Sequence, residues 1–455
     1  MKNIIKSTII GIVTITIVSC SDFINLQPIS NPTIENYYTD LAGLKGAVNG
    51  SYDALQQSTQ YGSTFMTLME VRGDNIFSNN PGAGGGVQYQ VEVFTETSSS
   101  TYLSDGWYGL YNGILRSNLI LESVPKVVKD TLTANQLTGQ AYFIRALSYF
   151  NLVRLWGKVP LITKSQTASE ARNNSRSDIA SVYQQIVNDL NAAKSQLPNV
   201  WANSSDKGRA TSYAASALLA KAYLYQNKWS NVVSELQPLV DEINKTNGNL
   251  SLVPQTTTFP NGLKTSKDII FSVYYLNGGV GESVDQGNRY RDQDNSYNIT
   301  LSQTLFEAGD NRAVLVVDKT GDRPLKFRAT PVSPSNETSG DFPVLRCAEV
   351  MLMYAEAQNE IAYGSSQALA ALNAVRKNAG IAIVNPSNQA SFRTAVYKER
   401  RLELALECDR WFDILRTGQF ASIFPGVPAY RMLYPVPQGE IDNVNDKTGW
   451  KNDGF

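Results

Sequence analysis

Residues 135–156 carry apolar side chains on two faces, where a helix lying on a protein surface shows only one. Phe143, Leu147 and Phe150 line up with Arg154 at three- and four-residue spacing, and Ile144, Leu152 and Leu155 mark a second face. Such a helix must be covered on both sides, so the chain has to build helical layers around it. The flanking sequence supplies them. Residues 41–58 follow Asp40, a suitable N-cap, and place Leu44, Val48, Tyr52 and Leu55 at helical spacing. Residues 105–124 do the same with Tyr108, Tyr111, Leu115, Leu119 and Leu121. Residues 178–197 run from Asp178 to the residue before Pro198, with Ile179, Tyr183, Ile186, Leu190 and Leu197 on the core side. Residues 211–225 are rich in alanine, which lets helices approach closely, and 230–243, 346–362, 366–379 and 390–416 complete the series. Paired helices with small residues at their contacts and a repeat near 34 residues predict an all-α fold. Its helix pairs stack in the tetratricopeptide manner, with minor short strands.

Two irregular stretches interrupt the helices. Residues 73–104 are rich in Gly, Asn and Ser; residues 250–344 hold a strand-like Ile269–Tyr275 and then Gly-, Asn- and Asp-rich sequence. Long loops in a compact domain are usually functional or disordered, and the aromatic content here argues against disorder. Phe77 and Tyr89 in the first loop, and Tyr290 and Tyr297 in the second, sit among Asp74, Asn75, Asn79, Arg289 and Arg291. A ring whose face stacks on sugar C–H groups, beside planar amide, carboxylate or guanidinium groups for the hydroxyls, is the composition of a carbohydrate site. Those nine residues are the candidate ligand-binding set. Each ring has the alternative role of pinning its own loop.

Charge and composition restrict the chemistry. The formal net charge of −1 gives no reason to expect nucleic acid as a partner. Histidine is absent from all 455 residues, which removes histidine-based nucleophile pairs and histidine-ligated zinc. In the charged stretch 397–413, Arg400 with Glu403, Glu407 with Arg410, and (just beyond it) Asp413 with Arg416 are opposite charges three residues apart on one predicted helix. Carboxylates beside arginines have depressed pKa values and make poor general acids, so no catalytic role is assigned. Loop carboxylates such as Asp74 and Asp105 are the remaining candidates for a hydrolase. The Gly82–Gly86 run lacks both the phosphate-loop ending and GxGxxG spacing, so it reads as a flexible loop. No cofactor or metal site is expected.

The N-terminus sets location. Lys2 and Lys6 precede an apolar run from Ile9 to Val18, about half the length needed to span a bilayer, as in a secretory signal peptide. The ending Ile17-Val18-Ser19-Cys20 resembles a lipoprotein cleavage site, which makes Cys20 the acylated first residue of the mature chain. Cys347 and Cys408 fall in predicted helices among apolar neighbours and read as buried thiols. Whether they pair is open. The expected layout is a signal peptide at 1–19, a lipidated N-terminus and linker at 20–40, and one domain at 41–455. That domain divides into helical parts at 41–245 and 345–455 around a loop-rich part at 246–344.

Several short motifs, in order, resemble the SusD/RagB family of surface nutrient-binding lipoproteins of Bacteroidetes. They include Cys20-Ser21-Asp22, Glu70-Val71-Arg72-Gly73-Asp74-Asn75, Trp107-Tyr108-Gly109-Leu110-Tyr111 and Gln140-Ala141-Tyr142-Phe143-Ile144-Arg145-Ala146. Ala214–Tyr223, Leu345–Ala357, Leu372–Arg376, Glu399–Phe412 and Tyr434–Ile441 follow at matching order, so the resemblance covers nearly the whole chain. It implies a tetratricopeptide-like scaffold with a loop-rich ligand face, attachment to the outer membrane through lipid, and a TonB-dependent (SusC-like) transporter over which the protein sits as a lid. It places Asp74 where the family's first binding loop begins. Oligosaccharide is the expected ligand; peptide capture, or a lid without tight ligand binding, are the alternatives.

Overall fold

The computed structural model describes residues 38–78, 82, 86–260, 262–275, 297–317, 326–327 and 341–455. Cys20 and the N-terminal apolar run lie outside the described residues. Ten helices carry the scaffold. They are α1 (Leu41–Gln56), α2 (Thr101–Val127), α3 (Thr131–Trp156), α4 (Ile179–Gln196), α5 (Ser212–Leu224), α6 (Trp229–Ile243), α7 (Cys347–Ile361), α8 (Ser366–Asn378), α9 (Gln389–Glu403) and α10 (Arg410–Arg416). Caps fix several starts. Asp40 accepts from Gly43 N, Asp130 from Thr133 N and Asp178 from Ser181 N, each satisfying an N–H that the first turn leaves open.

Each helix from α1 to α7 packs on the next in the chain, and α7 then takes both α8 and α9, so the scaffold grows by stacking neighbours. The two-faced helix behaves as its pattern demands. In α3 every residue from Phe143 to Val153 is buried, with α2 on one side and α4 on the other. Ala214, Ala215, Ala217, Ala220 and Ala222 of α5 have no exposed surface, which permits close packing against α4 and α6. At Gly139 of α3 an added Cβ would stand 2.9 Å from Leu197 Cγ, so this crossing needs glycine.

Three helix expectations need correction, the first being Ile179, which is 43% exposed at the start of α4 and not on its core side. In α2, Tyr108 and Leu115 are 47% and 43% exposed; Leu103, Trp107, Leu110 and Ile114 are the buried stripe. The helix is apolar on adjacent stripes, and Trp107 decides between them by meeting Trp156 edge-on at 5.2 Å. The stretch 390–416 is also two helices. α9 stops at Glu403, Leu406 and Cys408 turn with φ of 69° and 64°, and α10 starts at Arg410. Cys408 therefore lies in a left-handed turn, while Cys347 opens α7; both thiols are buried and free.

Among the described residues there are four short strands: β1 (Ile76–Ser78), β2 (Ile269–Val273), β3 (Tyr297–Ile299) and β4 (Phe342–Arg346). β2 pairs antiparallel with β4, and the two lie against α5. β1 pairs antiparallel with β3 in the register Ile76↔Ile299, Phe77↔Asn298, Ser78↔Tyr297.

The charged stretch forms tertiary ion networks; of the three expected local pairs only Asp413–Arg416 exists, at 2.7 Å. Glu403 instead accepts from Arg312 and Arg346, at 3.0 and 3.1 Å. Arg346 also forks onto both oxygens of Glu407 at 2.7 Å and reaches Asp268. Arg400 pairs with Asp413 and Glu349, and Arg416 holds Glu356. These groups are nearly unexposed, so each charge depends on its partners. Arginines hold Asp413 below the usual carboxylate range and bring Glu403 to about 2. Burial outweighs the neighbouring cations elsewhere: it pushes Asp268 up to about 6 against Arg346, and raises Glu349 against Lys221 and Glu399 against Arg312.

Candidate ligand-binding face

The first irregular stretch leaves the scaffold through the π-helical turn Met66–Val71, whose six residues are all buried. Arg72 follows and is 1% exposed. Its guanidinium donates to Val91 O at 2.9 Å, Glu96 Oε2 at 2.7 Å and Arg431 O at 2.7 Å. It also lies 4.1 Å from the centre of the Phe94 ring and 4.6 Å from that of Tyr434. Arg72 thus pins the loop's entry from several directions.

Asp74 is held next. Its carboxylate accepts from Arg410 Nε at 2.5 Å and Nη2 at 3.0 Å, and pairs with Arg401 Nη2 at 3.0 Å. Asn75 has no exposed surface; its amide donates to Glu70 Oε1 and accepts from Arg401 Nε at 3.1 Å. Asn75 is therefore an internal brace and does not present its amide to a ligand. Asp74 keeps part of its surface, but its two oxygens are engaged by arginines. Glu70 accepts from Leu406 N and Cys408 N, fastening the left-handed turn between α9 and α10 beneath this loop. Burial pushes the Glu70 carboxyl up to about 7.

From this base the two irregular stretches meet. Thr300 donates its backbone N–H to Asn75 O at 2.9 Å and its hydroxyl to Asp74 O at 2.6 Å. Beyond it, β1 and β3 pair and carry Phe77 and Tyr297 onto one small ribbon. Phe77 is half-buried, and Tyr89 on the short helix Val87–Glu92 is 38% exposed. The expected site residues Asn79, Arg289, Tyr290 and Arg291 lie outside the described residues. Asp105 belongs to α2 and not to a loop.

The residues that sequence reasoning missed are the anchors Arg72, Arg401 and Arg410. For Arg401 and Arg410 the signal was an excess of arginine in the charged stretch; partners more than 300 positions away in the chain left no local pattern. No group of three or more Cys, Asp or Glu side chains suited to a metal occurs among the described residues. No helix among them is long and apolar enough to cross a membrane. The arrangement is a rigid base carrying polar, ring-bearing loops, which suits binding of a hydrophilic ligand.

Family comparisons agree with this architecture. Residues 41–224 match a family described as starch-binding and associating with the outer membrane, and residues 199–426 match the SusD family. SusD-like protein P2 of Formosa agariphila is 27% identical over 490 residues, covering 94% of this chain and 96% of the relative. A SusD-like protein of Bacteroides ovatus is 25% identical over 477 residues, covering 91% and 83%. Among solved structures, a laminarin-binding SusD-like protein superposes with a TM-score of 0.78 at 26% identity, covering 92% of this chain and all of the other. A SusD homologue of Bacteroides thetaiotaomicron shares the fold at a TM-score of 0.79 and 21% identity, covering 93% and 98%. With its helical stacking, its loop-bearing face and a family match that spans half its length, the chain belongs to the SusD/RagB family.

Proposed function

We propose that this protein is a non-catalytic, lipid-anchored receptor on the outer membrane that captures oligosaccharides and passes them to a TonB-dependent transporter. One observation carries the reading: β1 and β3 pair the two irregular stretches into one ribbon on a braced helical scaffold, with Phe77 on it. The family description as starch-binding and outer-membrane-associated supports the ligand class and the location, and the laminarin-binding relative supports the ligand class. Cys20 and the apolar run before it support the lipid anchor. The lack of histidine, and carboxylates already committed to arginines, support a role without catalysis.

The described rings Phe77 and Tyr89 are the contacts we assign to sugar, and Asp74 acts from beneath them as an anchor. Arg289, Tyr290, Arg291, Asn79 and Tyr297 remain candidates for the same face. An open site with one or two stacking rings gives millimolar to micromolar affinity, on the order of 4–8 kcal/mol. Calorimetry of the soluble form, residues 21–455, against a panel of polysaccharides tests the reading. We expect at least one to bind, and Phe77→Ala with Tyr89→Ala to weaken it about tenfold or more. Silence across the panel, or peptides co-purifying with the protein, would overturn the sugar assignment.

A further inference from the structure

A second groove, which shares no described lining residue with this face, lies between the C-terminal half of α1, the segment joining α4 to α5, and β2. It has two lobes of about 200 and 380 Å³ that share Lys207, Gly208, Arg209, Phe271, Ser272 and Tyr274. The lobes are divided where the Tyr274 ring lies on Gly208: a Cβ at Gly208 would stand 2.5 Å from Tyr274 Cε2, and its φ of +95° favours glycine as well.

Its rings are fixed in advance. Trp201 Nε1 donates to Ala210 O at 3.0 Å, which holds the half-buried indole at the wall of the larger lobe. Tyr274 is positioned by Gly208, and its backbone carbonyl accepts from Gln56 Nε2. Rigid rings lose little entropy on binding and offer flat faces to a sugar.

The polar lining has one sign. Among the described residues its charged heads are Lys207, Arg209 and Lys264, and no carboxylate lines either lobe. Asp206 holds Arg209 at 2.9 Å and Asp341 lies 3.5 Å from Lys264 Nζ, so those two are partly compensated from behind the wall. Lys207 is exposed and has no ion pair among the described residues. Ser272 of β2 lines both lobes; it is 3% exposed and its hydroxyl has no hydrogen-bond partner. A buried hydroxyl without a partner costs free energy unless something enters to meet it.

From these observations we infer that the groove is a second saccharide site, selective for chains that carry carboxylate or sulfate groups. The ligand stacks on Trp201 and Tyr274, places an anionic substituent against Lys207, and offers a hydroxyl to Ser272. The inference rests on the proposed saccharide-binding role and adds a separate location and a charge class.

The test uses the full chain in detergent with four hexasaccharide probes: oligogalacturonate, a sulfated galactan fragment, maltohexaose and laminarihexaose. The expected result is binding of at least one acidic probe that weakens steeply with salt and roughly tenfold or more in Lys207→Glu, with Lys207→Arg close to wild type. Whichever acidic probe binds identifies carboxylate or sulfate as the recognised group. The Phe77→Ala, Tyr89→Ala variant should keep this binding. Failure of both acidic probes overturns the inference, as does an affinity that Lys207→Glu leaves unchanged. Loss of acidic-probe binding in the Phe77, Tyr89 variant alone would move the ligand to the loop face, overturning the groove while leaving the receptor role intact. Neutral probes binding at the loop face with no acidic binding anywhere would have the same meaning.

Discussion

Glu403→Gln removes one charge from the centre of the buried network and leaves the shape nearly unchanged. The Glu403 carboxylate accepts from Arg312 at 3.0 Å and Arg346 at 3.1 Å, and its side chain is 2% exposed. An amide there turns an N–H₂ group toward one of the two guanidiniums, a donor against a donor. The magnitude follows from the carboxyl itself, which Arg346 and Arg312 bring down from 4.5 to about 2 against the upward pull of burial. A displacement of that size corresponds to roughly 3 kcal/mol of stabilisation, in the range for breaking a buried pair. For a chain of this length the unfolding entropy is about 1 kcal/mol per kelvin, so the melting temperature at pH 7 should fall by about 3 °C. The sign of the pH dependence is fixed. A carboxyl depressed in the folded state stabilises above its unfolded value near 4.5, and that stability is lost as pH falls toward 2. Scanning calorimetry of wild type and variant between pH 7 and 2.5 should therefore show a gap that is constant above about pH 5 and narrows below it. A gap under about 1 °C at pH 7, or one that does not narrow in acid, would refute the reasoning.

Other perturbations read different parts of the molecule. Gly139→Val forces side-chain atoms against Leu197 at the α3–α4 crossing, and should cost about 1–3 kcal/mol, seen as a melting temperature lowered by roughly 1–3 °C. Asp74→Asn leaves Arg401 and Arg410 without their shared anion; amide exchange over residues 75–78 should quicken roughly tenfold while exchange in α3 stays unchanged. Burial raises the thiols of Cys347 and Cys408 well above their usual range, so a disulfide reagent should leave both unmodified in folded 21–455 and label both after denaturation. Rapid labelling of either in the native protein would contradict the buried placement.

The helical scaffold was legible because its signals are local. Asp40 and Asp178 cap the helices they were expected to start, and the two apolar faces of residues 135–156 forecast the burial of α3 between α2 and α4. What stayed hidden depended on contacts between distant positions. Arg400 and Glu407 each had an opposite charge three residues away, yet both pair with other elements, because those neighbours are themselves buried and taken: Glu403 by Arg312 and Arg346, Arg410 by Asp74. The same logic hid the break after α9: nothing local to Leu406 and Cys408 stops a helix, and the acceptor that holds their N–H groups is Glu70. Asp74 and Asn75 read as ligand contacts because carboxylate and amide groups beside loop rings suit sugar hydroxyls; Arg401 and Arg410 engage them, with Asn75 buried and Asp74 still partly exposed. Trp201 and Lys207 went unremarked in a segment that read only as a connection between helices.

The bracket around the first loop also fixes when that loop can take shape. Glu70 is joined to Cys408 across 338 positions, and Arg72 to Arg431 across 359. Contacts of such separation pay their loop-closure entropy late and slow folding. A chain delivered N-terminus first carries residues 70–78 almost from the start, with no arginine to seat Asp74 until Arg401 and Arg410 arrive. The surface assigned to ligand is thus among the first parts to be made and the last to become rigid. Folding intermediates that have already stacked α1 through α6 would still be blind to sugar, and a nutrient added during refolding could speed only the final closure.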